Sequence, residues 1–139
     1  MLEIANLTTK RIDKEFFENI SKAVLRGEKK KGNISLVVVD SRKIKSLNYS
    51  WRKKNSSTDV LSFVYSEKRN ISENVLGEIF LCPEFIEKLS KEEGLKKKEE
   101  IARSLIHGIL HLLGYDHRDK KELESIILKE NEYIKKLFK

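Results

Sequence analysis

The segment KKKEEIARSLIHGILHLLGYDH, residues 96–117, decides the fold of this chain. Ile101, Leu105, Ile106, Ile109, Leu110 and Leu113 recur at helical spacing, which predicts a central helix from Lys96 to Leu113. All three histidines of the protein fall within its last part, at positions 107, 111 and 117. Residues four apart on a helix share a face and lie about 6 Å apart along the axis. His107 and His111 can therefore offer their imidazoles to one metal ion. Gly114 stands where the helix would stop in a left-handed conformation, and the chain can then turn His117 back toward the same point. Three neutral imidazoles with an open fourth position are the donor set of a catalytic zinc site, although imidazole accepts other divalent metals too.

The residue after the first histidine narrows the chemistry. Zinc peptidases with two histidines at this spacing carry a glutamate there as general base. Here the position is Gly108, and the only methionine is Met1, so the methionine turn of the long-motif peptidases is missing as well. A hydrolase acting on peptides or small amides becomes the weaker reading.

Outward from this segment the chain alternates between helix and strand. Lys120 to Phe138 repeats a helical pattern with Leu123, Ile126, Ile127, Ile134 and Leu137. Upstream, Pro83 suits the first turn of a helix that Gly94 ends. Val75–Leu81, Val60–Tyr65, the β-branched run Ile34–Val39 and a first segment around Leu2, Ile4 and Leu7 read as strands. Asp13 is placed to cap a helix carrying Phe16, Phe17, Ile20, Ala23 and Val24, ended by Gly27. Ser41 opens a short helix through Ile44, Leu47 and Asn48. Glu28–Asn33, Lys53–Ser57 and Ser66–Asn74 are polar turns or loops. Four strands among helices in uneven order predict an α+β fold, a small mixed four-stranded sheet with helices packed on it.

At 139 residues the chain is sized for one domain, 1–139. Lys plus Arg total 29 against 22 Asp plus Glu, a net charge of +7, which favours a polyanionic partner such as RNA or a ribosome. One cysteine, Cys82, excludes an internal disulfide and fits a reducing compartment; at a strand end it reads as a small buried hydrophobe. The first residues lack a signal-peptide pattern and no stretch is long and apolar enough for a membrane span, so a cytoplasmic location is expected, with no membrane partner.

A second constellation lies at Trp51-Arg52-Lys53-Lys54, ahead of Thr58-Asp59-Val60-Leu61-Ser62-Phe63. Arginine grips phosphate through its planar fork, and an aromatic neighbour can stack a base, so Arg52, Trp51, Lys53 and Lys54 are candidate substrate-binding residues on a loop entering a strand.

Together these segments resemble the YbeY family of bacterial single-strand-specific endoribonucleases that mature ribosomal RNA. The resemblance rests on Leu47-Asn48 with Arg52, on 58–63, on Gly77-Glu78-Ile79, and above all on the HG-x-LH-x-x-GYDH run at 107–117. It implies a zincin-like α+β fold, one zinc at His107, His111 and His117, and an active site directed at single-stranded RNA, with rRNA and ribosomal particles as partners and no DNA. It also implies that Arg52 and His107 are the residues most needed for cleavage. The sequence departs from the family at Glu78, where aspartate is usual, and at Ser57 and Val64, where proline is common.

On this reading metal lowers the pKa of its water, Arg52 stabilises charge on the phosphoryl oxygens, and surrounding lysines draw in RNA. Trp51 or Tyr115 could stack a splayed base, Tyr115 being equally suited to packing. The proton is left to Asp59, Glu78, Asp116 or water, with Asp116 alternatively orienting a ligand imidazole. The nucleophile, water or a ribose 2′-hydroxyl, stays open. A non-catalytic, zinc-stabilised ribosome-binding factor is the competing reading.

Overall fold

The apolar run after Gly32 becomes the middle of a sheet because both of its faces are covered. A computed structural model describes residues 1–65, 75–116 and 118–139. Among these, the elements are β1 (Leu2–Asn6), α1 (Lys14–Gly27), β2 (Asn33–Val38), α2 (Ser41–Arg52), β3 (Val60–Val64), β4 (Val75–Leu81), α3 (Pro83–Glu93), α4 (Lys97–Leu112) and α5 (Lys120–Leu137). The sheet order is β1-β2-β4-β3, with β1, β2 and β4 parallel and β3 antiparallel at the edge. The expected α+β class and mixed four-stranded sheet are found. The polar stretch expected as a loop at Ser66–Asn74 lies outside the described residues.

Alternation sorts the strands between two cores. Ile34, Leu36, Val38, Ile79 and Leu81 join Phe17, Ile20 and Val24 of α1 and Leu105, Ile106 and Ile109 of α4 in the larger core. Val37, Val39 and Leu61 pack with Ile44 and Leu47 of α2 on the other face. Burying each such side chain contributes about 1.5–3 kcal/mol, so the sheet is held from both sides and α4 is fixed against β3 and β4.

The helix starts follow capping chemistry. Asp13, Asp40 and Asp119 accept hydrogen bonds from the backbone N–H of Phe16, Lys43 and Glu122. Ser41 opens α2 as expected, with Asp40 as its cap. That helix also runs further than its apolar pattern indicates, to Arg52, and ends with Lys53 in the left-handed conformation at φ 59°. Trp51 and Arg52 thus sit on the last turn of a helix rather than on the loop entering a strand that their sequence predicts. No helix among the described residues is long and apolar enough to cross a membrane.

Gly77 is where the layers press closest. It pairs with Val64 across β3 and β4. A Cβ there would collide with the Phe63 carbonyl oxygen and lie 2.6 Å from Leu112 Cδ2 of α4. Gly77→Ala is expected to destabilise the protein by about 2–3 kcal/mol, as overpacking against backbone does. Chemical denaturation with an unchanged slope and a lower midpoint is the expected result.

Candidate active site

Helix α4 carries the first two histidines on successive turns of one face. Their ring centroids are 4.8 Å apart, with planes inclined at 70°. Both line a cleft of about 300 Å³ together with Arg52 from the end of α2, Asp59 from the entry to β3, Ser104 from α4 and Glu130 from α5. The rings are half-buried, while the turns beneath them, Leu105, Ile106, Ile109 and Leu110, are fully buried. Gly114 has φ 105°, as a helix stop requires, and Tyr115 N–H closes the turn onto Leu110 O. His117 lies outside the described residues.

Glu130 is the group that the sequence reading missed. Its carboxylate oxygen Oε2 is 2.6 Å from His107 Nδ1, and its side chain is 8% exposed. A buried carboxylate on Nδ1 is the outer partner that metal-binding imidazoles keep, since it fixes ring and tautomer and directs Nε2 to the metal. The signal was present in the sequence. Glu130 stands four residues after Ile126 and four before Ile134, inside the apolar stripe of α5. A carboxylate in such a stripe needs a buried partner.

The other expected site residues divide. Arg52 lines the cleft, while Trp51, Lys53 and Lys54 are exposed and are not among the described residues that line it. Trp51 is 68% exposed and leans on Phe63 at 5.6 Å between rings. The segment behind Arg52 is rigid: buried Asn48 donates to Ser56 O at 2.9 Å, and Ser57 Oγ donates to Ser41 O at 3.0 Å. Ser57, at a position where proline is common in the resembling family, thus ties this loop down by a hydrogen bond instead.

Asp59 is the carboxylate in the cleft that could move a proton. Ser104 Oγ donates to its Oδ2 at 2.8 Å and Thr58 Oγ1 to its Oδ1 at 3.2 Å. Glu78 does not share this place. It alternates with Gly77 and Ile79, so it lies on the sheet face away from α4, where its Oε2 accepts from Ser35 Oγ at 3.4 Å. Asp116 accepts from Arg118 Nε at 2.7 Å, and the carboxylate on His107 is Glu130's. Gly108 faces the sheet: a Cβ there would sit 3.0 Å from Ser62 Oγ and 3.3 Å from Ile79. A glutamate at that position would meet packed side chains. Cys82 is fully buried, and burial raises its thiol pKa, as expected of an inert core thiol.

Tyr115 is a strut rather than a stacking platform. Its hydroxyl donates to Glu28 Oε1 at 2.6 Å, and Tyr133 and Lys129 of α5 reach the other oxygen of the same carboxylate, Lys129 Nζ at 3.3 Å. Burial by itself would raise the Glu28 pKa, but the hydrogen bonds from Tyr115, Tyr133 and Lys129 outweigh it and hold the carboxyl below its ordinary value. The bond to Glu28, with burial second, pushes Tyr115 up to about 12. Glu28 at the end of α1 therefore ties together the turn after α4 and the helix that carries Glu130.

Two imidazoles, one braced by a buried carboxylate, with an arginine and a second carboxylate facing the same cleft, define a hydrolase-type site on an α+β scaffold. A family model described as endoribonuclease YbeY matches residues 3–138. An endoribonuclease YbeY from Buchnera aphidicola subsp. Schizaphis graminum is 40% identical over 127 residues, 91% of this chain and 80% of that protein. One from Phytoplasma australiense is 35% identical over 138 residues, 98% of this chain and 94% of its own length. A solution structure of a Thermotoga maritima protein superposes with a TM-score of 0.71 at 28% identity, covering 99% of this chain and 89% of that one. The chain belongs to the endoribonuclease YbeY family, and it is an enzyme that hydrolyses RNA.

Proposed function

We propose that the whole chain, 1–139, works as one cytoplasmic, metal-dependent endoribonuclease domain that cuts single strands in ribosomal RNA. The observation that carries this reading is the convergence of Arg52 from α2 with His107 and His111 from α4 on one cleft. The donor chemistry fits a divalent metal. Two imidazoles lie on adjacent turns of one face, and the Nδ1 of one is already committed to a buried carboxylate, which leaves coordination to Nε2. His107 and His111, with His117 as third ligand, would hold the ion. Zinc is proposed because three imidazoles and an open fourth position are the donor set of its catalytic sites, another divalent metal being compatible with the same donors. When bound, it supplies Lewis acidity toward the phosphate and a lowered pKa for coordinated water.

The chain's own residues supply the rest. Arg52, at a helix end braced by Asn48 and Ser57, binds the scissile phosphodiester and offsets the charge that builds on its oxygens. Asp59, oriented by Ser104 and Thr58, takes or returns the proton at its carboxylate. Trp51, Lys53 and Lys54 follow or precede Arg52 on the exposed surface, where they attract and stack an extended strand, and the net charge of +7 supports RNA over a neutral substrate. Single strands, whose bases can splay out of a stack, within rRNA of ribosomal particles are the substrate class proposed.

Purified protein should cleave single-stranded RNA and spare duplex RNA of the same sequence. Treatment with a chelator should abolish cutting, and one equivalent of zinc should restore it. Metal binding with no cleavage of either RNA, alongside retention on ribosomal subunits, would instead support the zinc-stabilised ribosome-binding factor.

A further inference from the structure

Glu130 carries two oxygens, and the histidine accounts for one. Oε2 meets His107 Nδ1, while Oε1 lies 3.9 Å from Nη1 of Arg103, one helical turn before His107 on α4. At that distance the link is a charge interaction rather than a hydrogen bond. Arg103 is itself fixed from three sides. Its Nη1 donates to Asn131 Oδ1 at 2.8 Å, its Nε is 3.7 Å from Glu100 Oε2, and Glu130 lies beyond. The guanidinium therefore spans from α4 to two consecutive residues of α5, and it lines the same cleft as the histidines.

We infer that Arg103 is a positioning residue for the metal-binding histidines, acting on His107 through Glu130; this rests on the metal reading above. The reasoning is electrostatic and geometric. A carboxylate with 8% side-chain exposure is costly to bury without compensating charge, and removing one partner of such a group leaves it uncompensated. Arg103 compensates Glu130 at the oxygen that His107 does not use, and through Asn131 it fixes the stretch of α5 on which Glu130 stands. Glu130 can then accept from His107 Nδ1 in one geometry, with Nε2 directed at the metal. A direct substrate role fits Arg103 less well than it fits Arg52, because two carboxylates within 4 Å already oppose its charge.

The test is a competitive zinc titration of the metal-free full chain against a chromophoric chelator, with wild type, Arg103→Met and Arg103→Lys compared. Loss of an outer partner typically weakens a metal site about 10–100-fold. Arg103→Met is expected to bind zinc about 10-fold more weakly, and Arg103→Lys, which keeps the charge, within about 3-fold of wild type. Saturated with zinc, Arg103→Met should show an unchanged KM for single-stranded RNA. Wild-type zinc affinity in Arg103→Met overturns the inference, and a raised KM alongside it would make Arg103 a substrate contact. Equal weakening in Arg103→Lys, with a lowered melting temperature in both, would reduce the residue to helix packing and also overturn it. Wild type that binds no zinc removes the metal reading itself, and the inference with it.

Discussion

His111→Ala is expected to remove bound metal and RNA cleavage together, whereas Arg52→Ala keeps the metal and loses cleavage. The two residues enter the same cleft from different elements, so the two losses are separable. His111 lies one turn beyond His107 on a helix whose inward side is fully buried. Removing its ring deletes a donor without disturbing the packing of α4, and the cost in metal affinity should exceed the roughly 10–100-fold typical of an outer partner. Arg52 lies exposed at the end of α2, on a different element from either histidine. Its contribution is charge stabilisation in the transition state, for which loss of one preorganised donor costs about 100–1,000-fold in kcat. Elemental analysis of each purified variant, paired with single-turnover cleavage of a single-stranded RNA, reads both effects. Arg52→Ala with wild-type cleavage would remove Arg52 from the chemistry. His111→Ala with full metal content would remove His111 from the metal site.

The elements that position this cleft were legible because each carried a local signal. Asp13 and Gly27 bracket α1, Pro83 and Gly94 bracket α3, and the β-branched run from Ile34 marks the buried strand β2. The end of α2 was not legible, for a physical reason. Its last turn faces solvent, so Tyr49, Trp51 and Arg52 show no apolar periodicity, and Lys53 adopts the left-handed cap that glycine usually announces. Within the site, His107 and His111 could be paired from helical spacing alone, since both partners lie on one element. The apolar stripe of α5 marks Glu130 as a carboxylate needing a buried partner. That the partner is His107, and that Asp59 joins the same cleft, could not be read from spacing, because α5 and the entry to β3 are separate from α4 in sequence. The same applies to Glu28, which reads as one charge in the turn 28–33, yet takes a hydrogen bond from Tyr115, 87 residues later.

That distant meeting makes Glu28 the residue whose loss should cost most stability outside the hydrophobic core. Its side chain is 8% exposed and holds Tyr115, Tyr133 and Lys129 at once. Hydrogen bonds to a charged group contribute about 1.5–3 kcal/mol each, and truncation leaves the nearly buried Tyr133 hydroxyl without its acceptor. Glu28→Ala is expected to cost about 3–4 kcal/mol and to lower the melting temperature by about 10 °C. Glu28→Gln should cost less, because its carbonyl oxygen still accepts one hydroxyl. The two variants also separate by pH. The folded-state pKa of Glu28 is depressed, so the native protein binds fewer protons there than the unfolded chain. Its stabilisation is complete above the ordinary carboxyl value of 4.5 and fades as pH falls through the lowered one. Wild type should therefore exceed Glu28→Gln in stability by its full margin at pH 7, and the gap should narrow below pH 4.5. Thermal melts of both proteins across that range decide it: curves that stay parallel into acid would mean that the charge of Glu28 does not hold the tyrosines, and that the turn leading to His117 is braced by packing instead.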